Sequence, residues 1–588
     1  MDCLVLSVLV KERMETKMKF YYGVDPAEKR EKLMKSKAAK CMIDEIISSA
    51  DKAMSEDSIA FKMSDYMLYH KTGNRTVFEN KYFGRRRKCS DIMLAYWLTQ
   101  DEKYLEPLID YISYICDEFT WCLPAHSKYA NRLSQEIIEW VDLFQAETAR
   151  FFAETVMCVG DKLPDYILAR MSYEVHRRIF KPFERFENNE YDCKENAYFW
   201  WESCRMNWAT VCGAGCTMAA LCFGTEQEAE KYVNKFVGCL DRYLDGIGDD
   251  GCCLEGMSYW NYGFSHFVIL AMAVKVYTDG KIDYFKNPKV KELAMFPQRI
   301  RLSESKVASI SDGGEAYSFH IGLMSLLKSI YSDVLLPDIK YGTRRGNIDS
   351  VCELLWFDEN YKCDKTVCET NYLSDAQWYI SRRGKFSFVA KGGHNNEPHN
   401  HNDIGAFMIT VGDETFISDL GCGEYVKETF NGKTRYNYIQ NSSRGHSVPI
   451  VNGEYQHNGE QFCAKNVKAE CNSFELNIED AYTTGIIKEI KRRFNIEENK
   501  VILYDTFDFT SNTVSVVERF VSKIKPQLCE GYVDFNIARI VYDSKKYLPS
   551  VSTESFVAHD GVGVVKVYLI DFVPVSNDEN VFRFEFCI

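Results

Sequence analysis

A helical first half followed by an antiparallel β-sandwich is the fold class the sequence predicts, and a change of period carries the prediction. Up to about residue 335, apolar residues recur at three- and four-residue spacing, the period of amphipathic helices. From about Ala376 the pattern becomes alternating and β-branched, the period of strands with one buried face. A length of 588 residues with 46% hydrophobic and 14% aromatic content supplies two large cores, so more than one domain is expected.

In chain order, helices are expected over Ser90 to Leu98, Tyr104 to Phe119, Ile137 to Glu154, Leu163 to Phe180, Trp208 to Leu221, Glu226 to Asp245 and Phe264 to Tyr277. Connectors rich in Gly, Pro, Asp and Asn separate them, and so many helices in series imply an α/α toroid or solenoid, not a four-helix bundle. Strands are expected at Tyr379-Ile380-Ser381, Phe386 to Ala390, Phe474 to Ile478, Val501 to Phe509 and Phe582 to Phe586. The expected division is a helical domain over 1–340, a polar linker over 341–375 and a sandwich over 376–588.

A net charge of −14 argues against a nucleic-acid or membrane-surface binder. An anionic substrate is still compatible if cations collect locally, as in Arg85-Arg86-Arg87-Lys88, Arg382-Arg383 and Lys433-Thr434-Arg435. No apolar run reaches the ~18 residues of a membrane span. Leu4 to Val10 is apolar, but Asp2 precedes it and Lys11-Glu12-Arg13 follows without a small-residue cleavage site. The 22 cysteines form no C-x-x-C pair and read as reduced, small hydrophobes. The expectation is a cytoplasmic protein, with a homo-oligomer left open.

Ligand chemistry concentrates in His399-Asn400-His401-Asn402-Asp403, two of only 11 histidines in the chain. The following run to Val411, then Gly412-Asp413 and Thr415 to Asp419, reads as a β-hairpin. On an extended segment the period of two places both imidazoles on one face. The returning strand brings Asp419 to the same end, and His446 follows a loop rich in Tyr, Asn and Ser. Two imidazoles and a carboxylate suit Zn²⁺.

The run His399 to Phe407, then Asp419-Leu420-Gly421, then Arg444-Gly445-His446-Ser447-Val448-Pro449-Ile450-Val451-Asn452-Gly453, resembles the C-terminal domain of heparinase II/III-like polysaccharide lyases. The resemblance implies that His399 faces the substrate while His401, Asp419 and His446 bind zinc. It also implies a toroid in front of the sandwich. The family's usual His-Asn is His446-Ser447 here, a departure that touches no proposed ligand. Asp403 is read either as a partner of one imidazole or as a strand-end aspartate.

In the helical half, Asn207-Trp208 opens a Gly- and Ala-rich helix, and Asp249 to Gly263 packs Tyr259, Trp260 and Tyr262 between glycines. Each alone reads first as packing; the resemblance, which shows an Asn-Trp pair and a Tyr-Trp-x-Tyr loop, turns both toward a cleft between domains. The implied reaction is β-elimination on a uronic-acid-containing glycan, a glycosaminoglycan or alginate for example. Asn207 and His399 would donate to the uronate carboxylate as the enediolate forms. Tyr259 would take the C5 proton and return it to O4, provided that positive groups lower its pKa, with Tyr262 as the alternative catalyst. Trp208, Trp260, Tyr262, Arg435 and Tyr438 are the expected substrate contacts. Two other classes are weighed: a glycoside hydrolase using Glu202 and Glu255, and a glycan-binding protein without catalysis.

Overall fold

In the computed structural model the helical period of the first half does fold as helices. The structure describes all residues except 1–2, 15–20, 127–137, 191–198, 317, 343–349, 366, 512–513, 560–562 and 577–578. Among the helices are α1 (Thr76–Thr99), α2 (Leu105–Cys116), α3 (Leu143–Val159), α4 (Asn207–Phe223) and α5 (Ser265–Tyr277). The start expected for α3 at Ile137 lies outside the described residues. The helix expected over Glu226 to Asp245 is two, Glu226–Phe236 and Gly238–Asp245, the first closed at its N-terminus by a capping box between Thr225 and Glu228.

Nearly every side chain of α4 is buried. Its glycines explain how it fits there: a Cβ on Gly215 would stand 2.4 Å from the Ala146 carbonyl oxygen of α3. Only a hydrogen on that carbon lets the two backbones approach so closely.

The stretch expected to be a polar linker is partly ordered as regular structure, holding a helix at Ser350–Trp356 and the strand Thr370–Leu373. That strand, β1, begins a five-stranded antiparallel sheet with β2 (Trp378–Arg383), β3 (Phe386–Lys391), β4 (Phe407–Val411) and β5 (Glu414–Ile417), in spatial order β1-β2-β3-β4-β5. The β4–β5 pair is the expected hairpin, turning at Gly412 with Val411 opposite Glu414. An eight-stranded and a four-stranded antiparallel sheet follow, built from residues 450–587. Phe388, Phe407, Phe494, Phe520 and Phe586 fill the space between, in one core with rings 5.0 to 6.2 Å apart.

By packing, the residues fall into two units that do not run simply along the chain. Unit 1 comprises Met1–Gly246, Asn261–Val290 and Ser318–Cys363; unit 2 comprises Ile247–Trp260, Lys291–Tyr317 and Asp364–Ile588. Two segments of the helical half thus belong with the sheets. Within unit 2, Ser311 Oγ donates to the Leu254 carbonyl at 2.9 Å and ties those two segments together.

Candidate functional site

The site of unit 2 is held by loops whose backbones are fixed from several sides. Gln456 clamps Ile404, accepting its N–H at 2.9 Å and donating to its carbonyl at 2.8 Å, and Asn402 N–H donates to Asn441 O at 3.0 Å. Arg492, fully buried, donates to Gly405 O at 2.9 Å and Ser447 O at 2.7 Å, so one guanidinium pins both histidine-bearing loops. Its charge is met by Asp505, and Glu518 accepts a further hydrogen bond; burial, then the Asp505 charge, raises Glu518 far above the usual carboxylate range.

His399 departs from the expected strand geometry: its φ is +55°, and residues 399–403 are irregular. The two imidazoles nevertheless converge, because both reach Asp312. His399 Nδ1 lies 2.6 Å from Asp312 Oδ2, and His401 Nε2 lies 3.1 Å from Oδ1. Arg435 Nη2 donates to both oxygens at 3.1 and 3.2 Å, and Tyr425 donates its hydroxyl to Oδ2 at 3.1 Å. Burial works to raise the Asp312 carboxyl, but these hydrogen bonds and the Arg435 charge outweigh it and hold it well below the usual range. Gly421 lets the Asp419 loop lie against this turn: at φ +68°, a Cβ there would stand 2.5 Å from Gly313 O.

His401, Asp419 and His446 are all buried and present ligand atoms within 4.8 Å of one another. Their other atoms are already engaged. His401 uses Nε2 on Asp312, His446 uses Nε2 on Gln440 O at 3.0 Å, and Asp419 Oδ1 accepts from Gly421 N–H at 2.8 Å. That leaves Nδ1 of each histidine buried without a hydrogen bond among the described residues, with His446 Nδ1 3.1 Å from Asp419 Oδ2. Two orphaned imidazole nitrogens beside a carboxylate oxygen, each backed by a partner that fixes the tautomer, fit a bound metal ion. Burial opposes ionisation of both groups, yet the attraction between them lowers Asp419 and raises His446.

Tyr259 belongs to this cluster. Its ring lies 4.2 Å from that of His399, and its hydroxyl is 3.0 Å from that of Tyr425. The expectation that positive groups lower its pKa is not met. Burial is the largest influence, Asp312 and Glu255 add to it, and together they outweigh the Tyr425 hydrogen bond, raising the phenol well above the ordinary tyrosine range.

Three other expectations need correction. Trp260 is fully buried and donates its indole N–H to Leu293 O at 2.8 Å, so it is a core residue. Arg435 is spent inside the protein, on Asp312, Asn400 O and Thr429 O, and positions the site instead of meeting a ligand. Asp403 pairs with Lys391 Nζ at 2.7 Å, not with an imidazole; Glu397 holds the same ammonium at 3.1 Å. Tyr438 is partly exposed on the loop before His446.

Asn207, Trp208 and Tyr262 belong to unit 1. Asn207 opens α4, is 6% exposed, and its amide makes no hydrogen bond among the described residues. The partly exposed Trp208 ring lies 4.8 Å from Trp200 and 5.0 Å from His126, whose Nδ1 is 2.8 Å from Asp142 Oδ2. Glu202, one of the two carboxylates a hydrolase would need, is paired with Lys235 at 3.4 Å.

A helical part followed by antiparallel sheets bearing a buried His-Asp-His group defines the toroid-and-sandwich class expected from the sequence. Residues 368–517 match the family model described as Heparinase II/III-like, C-terminal. Comparison with curated proteins gives no match. Among solved structures the chain resembles heparan sulfate lyase HepC from Pedobacter heparinus, with 14% identity and a TM-score of 0.54 over 92% of this chain and 87% of that one. Heparinase III shares 13% identity at a TM-score of 0.60, covering 88% and 78%. The Streptomyces coelicolor A3 chondroitin AC lyase, solved in complex with chondroitin sulphate, shares 8% at 0.57, covering 96% and 82%. At such identities the likeness establishes the fold. Among the described residues, no helix is long and apolar enough to cross a membrane.

Proposed function

We propose that the protein is a polysaccharide lyase that cleaves uronic-acid-containing glycans by β-elimination. The observation that carries this reading is the cluster in which His399 and Tyr425 meet the carboxylate of Asp312 and Tyr259 joins them through the Tyr425 hydroxyl and against the His399 ring. In the reaction the C5–H and C4–O4 bonds break, a C4–C5 double bond forms, and the proton ends on O4 of the leaving sugar. An ionised uronate makes C5–H a very weak acid, so the developing enediolate needs donors aimed at it. Asn207, whose amide has no hydrogen-bond partner among the described residues, and His399 are the proposed donors.

Tyr259 is the proposed acid and base. Its raised pKa keeps the phenol protonated in the free protein, the form that can donate to O4. To act first as base it must release that proton as substrate binds; the path runs through the Tyr425 hydroxyl 3.0 Å away, which takes it while passing its own proton to Asp312 Oδ2 at 3.1 Å. Zinc is the proposed metal, since two imidazole nitrogens and one carboxylate oxygen match its borderline-soft character. Bound there, it would cross-link three loops and fix the histidine segment.

The test follows absorbance near the ultraviolet edge while defined uronate oligosaccharides are incubated with the purified protein. Elimination creates a conjugated 4,5-unsaturated uronate and hydrolysis does not. New reducing ends without a rise in absorbance would reject elimination.

A further inference from the structure

Unit 1 contains a cavity of about 310 Å³ between α1, α2 and the loop before α1, at the small end of the ~300–1,000 Å³ usual for ligand pockets. Its walls are the rings of Phe61, Tyr66, Phe78, Tyr114 and Phe119. The rim is unusually apolar for surface, with Met63 43%, Tyr114 38% and Phe119 39% exposed. Inside, two buried polar atoms have no partner among the described residues: the Tyr66 hydroxyl and Arg85 Nε. Tyr66 is 3% and Arg85 8% exposed, so neither group is left to bulk water.

The first two members of the arginine run of α1 are therefore not on a solvated face. Arg85 and Arg86 both turn inward onto Glu118, at 3.1 and 2.8 Å, so two guanidiniums share one carboxylate and a positive charge is left over. The Arg85 guanidinium also lies 3.8 Å above the Phe61 ring. At the mouth, Asp117 is engaged by Arg170 at 3.0 Å, whereas the exposed Lys62 makes no ion pair among the described residues. Aromatic faces suit the C–H face of a pyranose, and a surplus cation suits an anionic substituent.

We infer that this cavity is a second carbohydrate subsite, built to take a sugar ring that carries a carboxylate or a sulfate. The inference deepens the uronate-glycan reading above and rests on it.

The experiment titrates the full-length protein calorimetrically with unsulfated and sulfated uronate oligosaccharides and with neutral ones. It compares wild type with Phe119→Ala and Lys62→Ala, at two exposed positions, and with Tyr66→Phe, which removes only a hydroxyl. A binding event selective for the acidic sugars should weaken roughly 3- to 10-fold in these variants and persist in Tyr259→Phe. Weakening in both acidic series marks the carboxylate as the recognised group, and weakening in the sulfated series alone marks the sulfate. Equal binding by wild type and the three cavity variants, or equal binding of acidic and neutral sugars, overturns the subsite. The absorbance assay on the same protein tests the lyase reading separately.

Discussion

The Asp312 carboxylate lies 2.6 Å from Nδ1 of His399 and accepts through its other oxygen from His401, the first metal-ligand candidate. One buried side chain thus sets the orientation of the proposed substrate-facing imidazole and of the imidazole beside the proposed ion. Asp312→Asn keeps the shape but loses the charge and one acceptor. Turnover should fall about 10²-fold or more and metal affinity about 10- to 100-fold. Metal titration alongside kinetics checks both, and a variant unchanged in both would show that Asp312 orients neither histidine.

About one zinc per chain should accompany the protein when it is prepared without added metal. His401→Ala with His446→Ala should abolish it, and chelation should lower the melting temperature, since binding only to the folded state is stability. Elemental analysis and a thermal melt read the two effects. Metal undiminished in the double variant would move the site elsewhere.

Tyr259→Phe removes a hydroxyl and little packing, so the protein should stay folded and keep its metal while turnover drops about 10²-fold or more. Asn207→Ala should cost about as much, through loss of a donor where charge develops. Tyr425→Phe should cost less, because it removes the relay between Tyr259 and the Asp312 carboxylate and not the proton donor itself. Wild-type rates in all three would reject the elimination chemistry; a dead Tyr262→Phe beside an active Tyr259→Phe would shift the catalyst by three residues.

Glu315 gives a pH dependence with a definite sign. Burial works to raise its carboxyl, but Lys523 at 3.0 Å and Lys306 at 3.3 Å hold it below the ordinary carboxylate value. A depressed folded-state pKa adds stability above the unfolded pKa of about 4.3 that is lost as pH falls through the folded value. Glu315→Gln should therefore lower stability at pH 7 by about 2 kcal/mol and lower it less and less below about pH 4. Denaturant midpoints at pH 7 and pH 3.5 test this, and an equal difference at both would show that the carboxylate's charge is not the source.

Much of the metal group was legible in the sequence because local pattern fixes it. The alternation from Phe407 to Ile417 sets a hairpin, and the hairpin carries His401 and Asp419 to one end. Asp312 was not legible: Ser311-Asp312-Gly313 reads as an ordinary turn, and only the tertiary fold brings it to two imidazoles from residues 399–401. Trp260 and Arg435 were misread for the same reason. An aromatic or a cation in a glycine- or polar-rich loop looks available to a ligand until burial and partners are known. The left-handed backbone of His399 breaks the period-two rule that a strand would obey, and a histidine there permits that conformation without demanding it.

Unit 2 is stitched together from three separated stretches of chain. A fragment starting at Asp364 would retain His401, Asp419 and His446 and all of the family-matched segment, yet would lack Tyr259 and Asp312. Such a fragment could collect metal and still be inert, so metal content is a poor proxy for activity in any excised version. During synthesis the same arrangement leaves residues 247–260 and 291–316 waiting on the ribosome for partners made tens of residues later, 87 between Asp312 and His399 and 166 between Tyr259 and Tyr425, an interval in which helper proteins have reason to bind them.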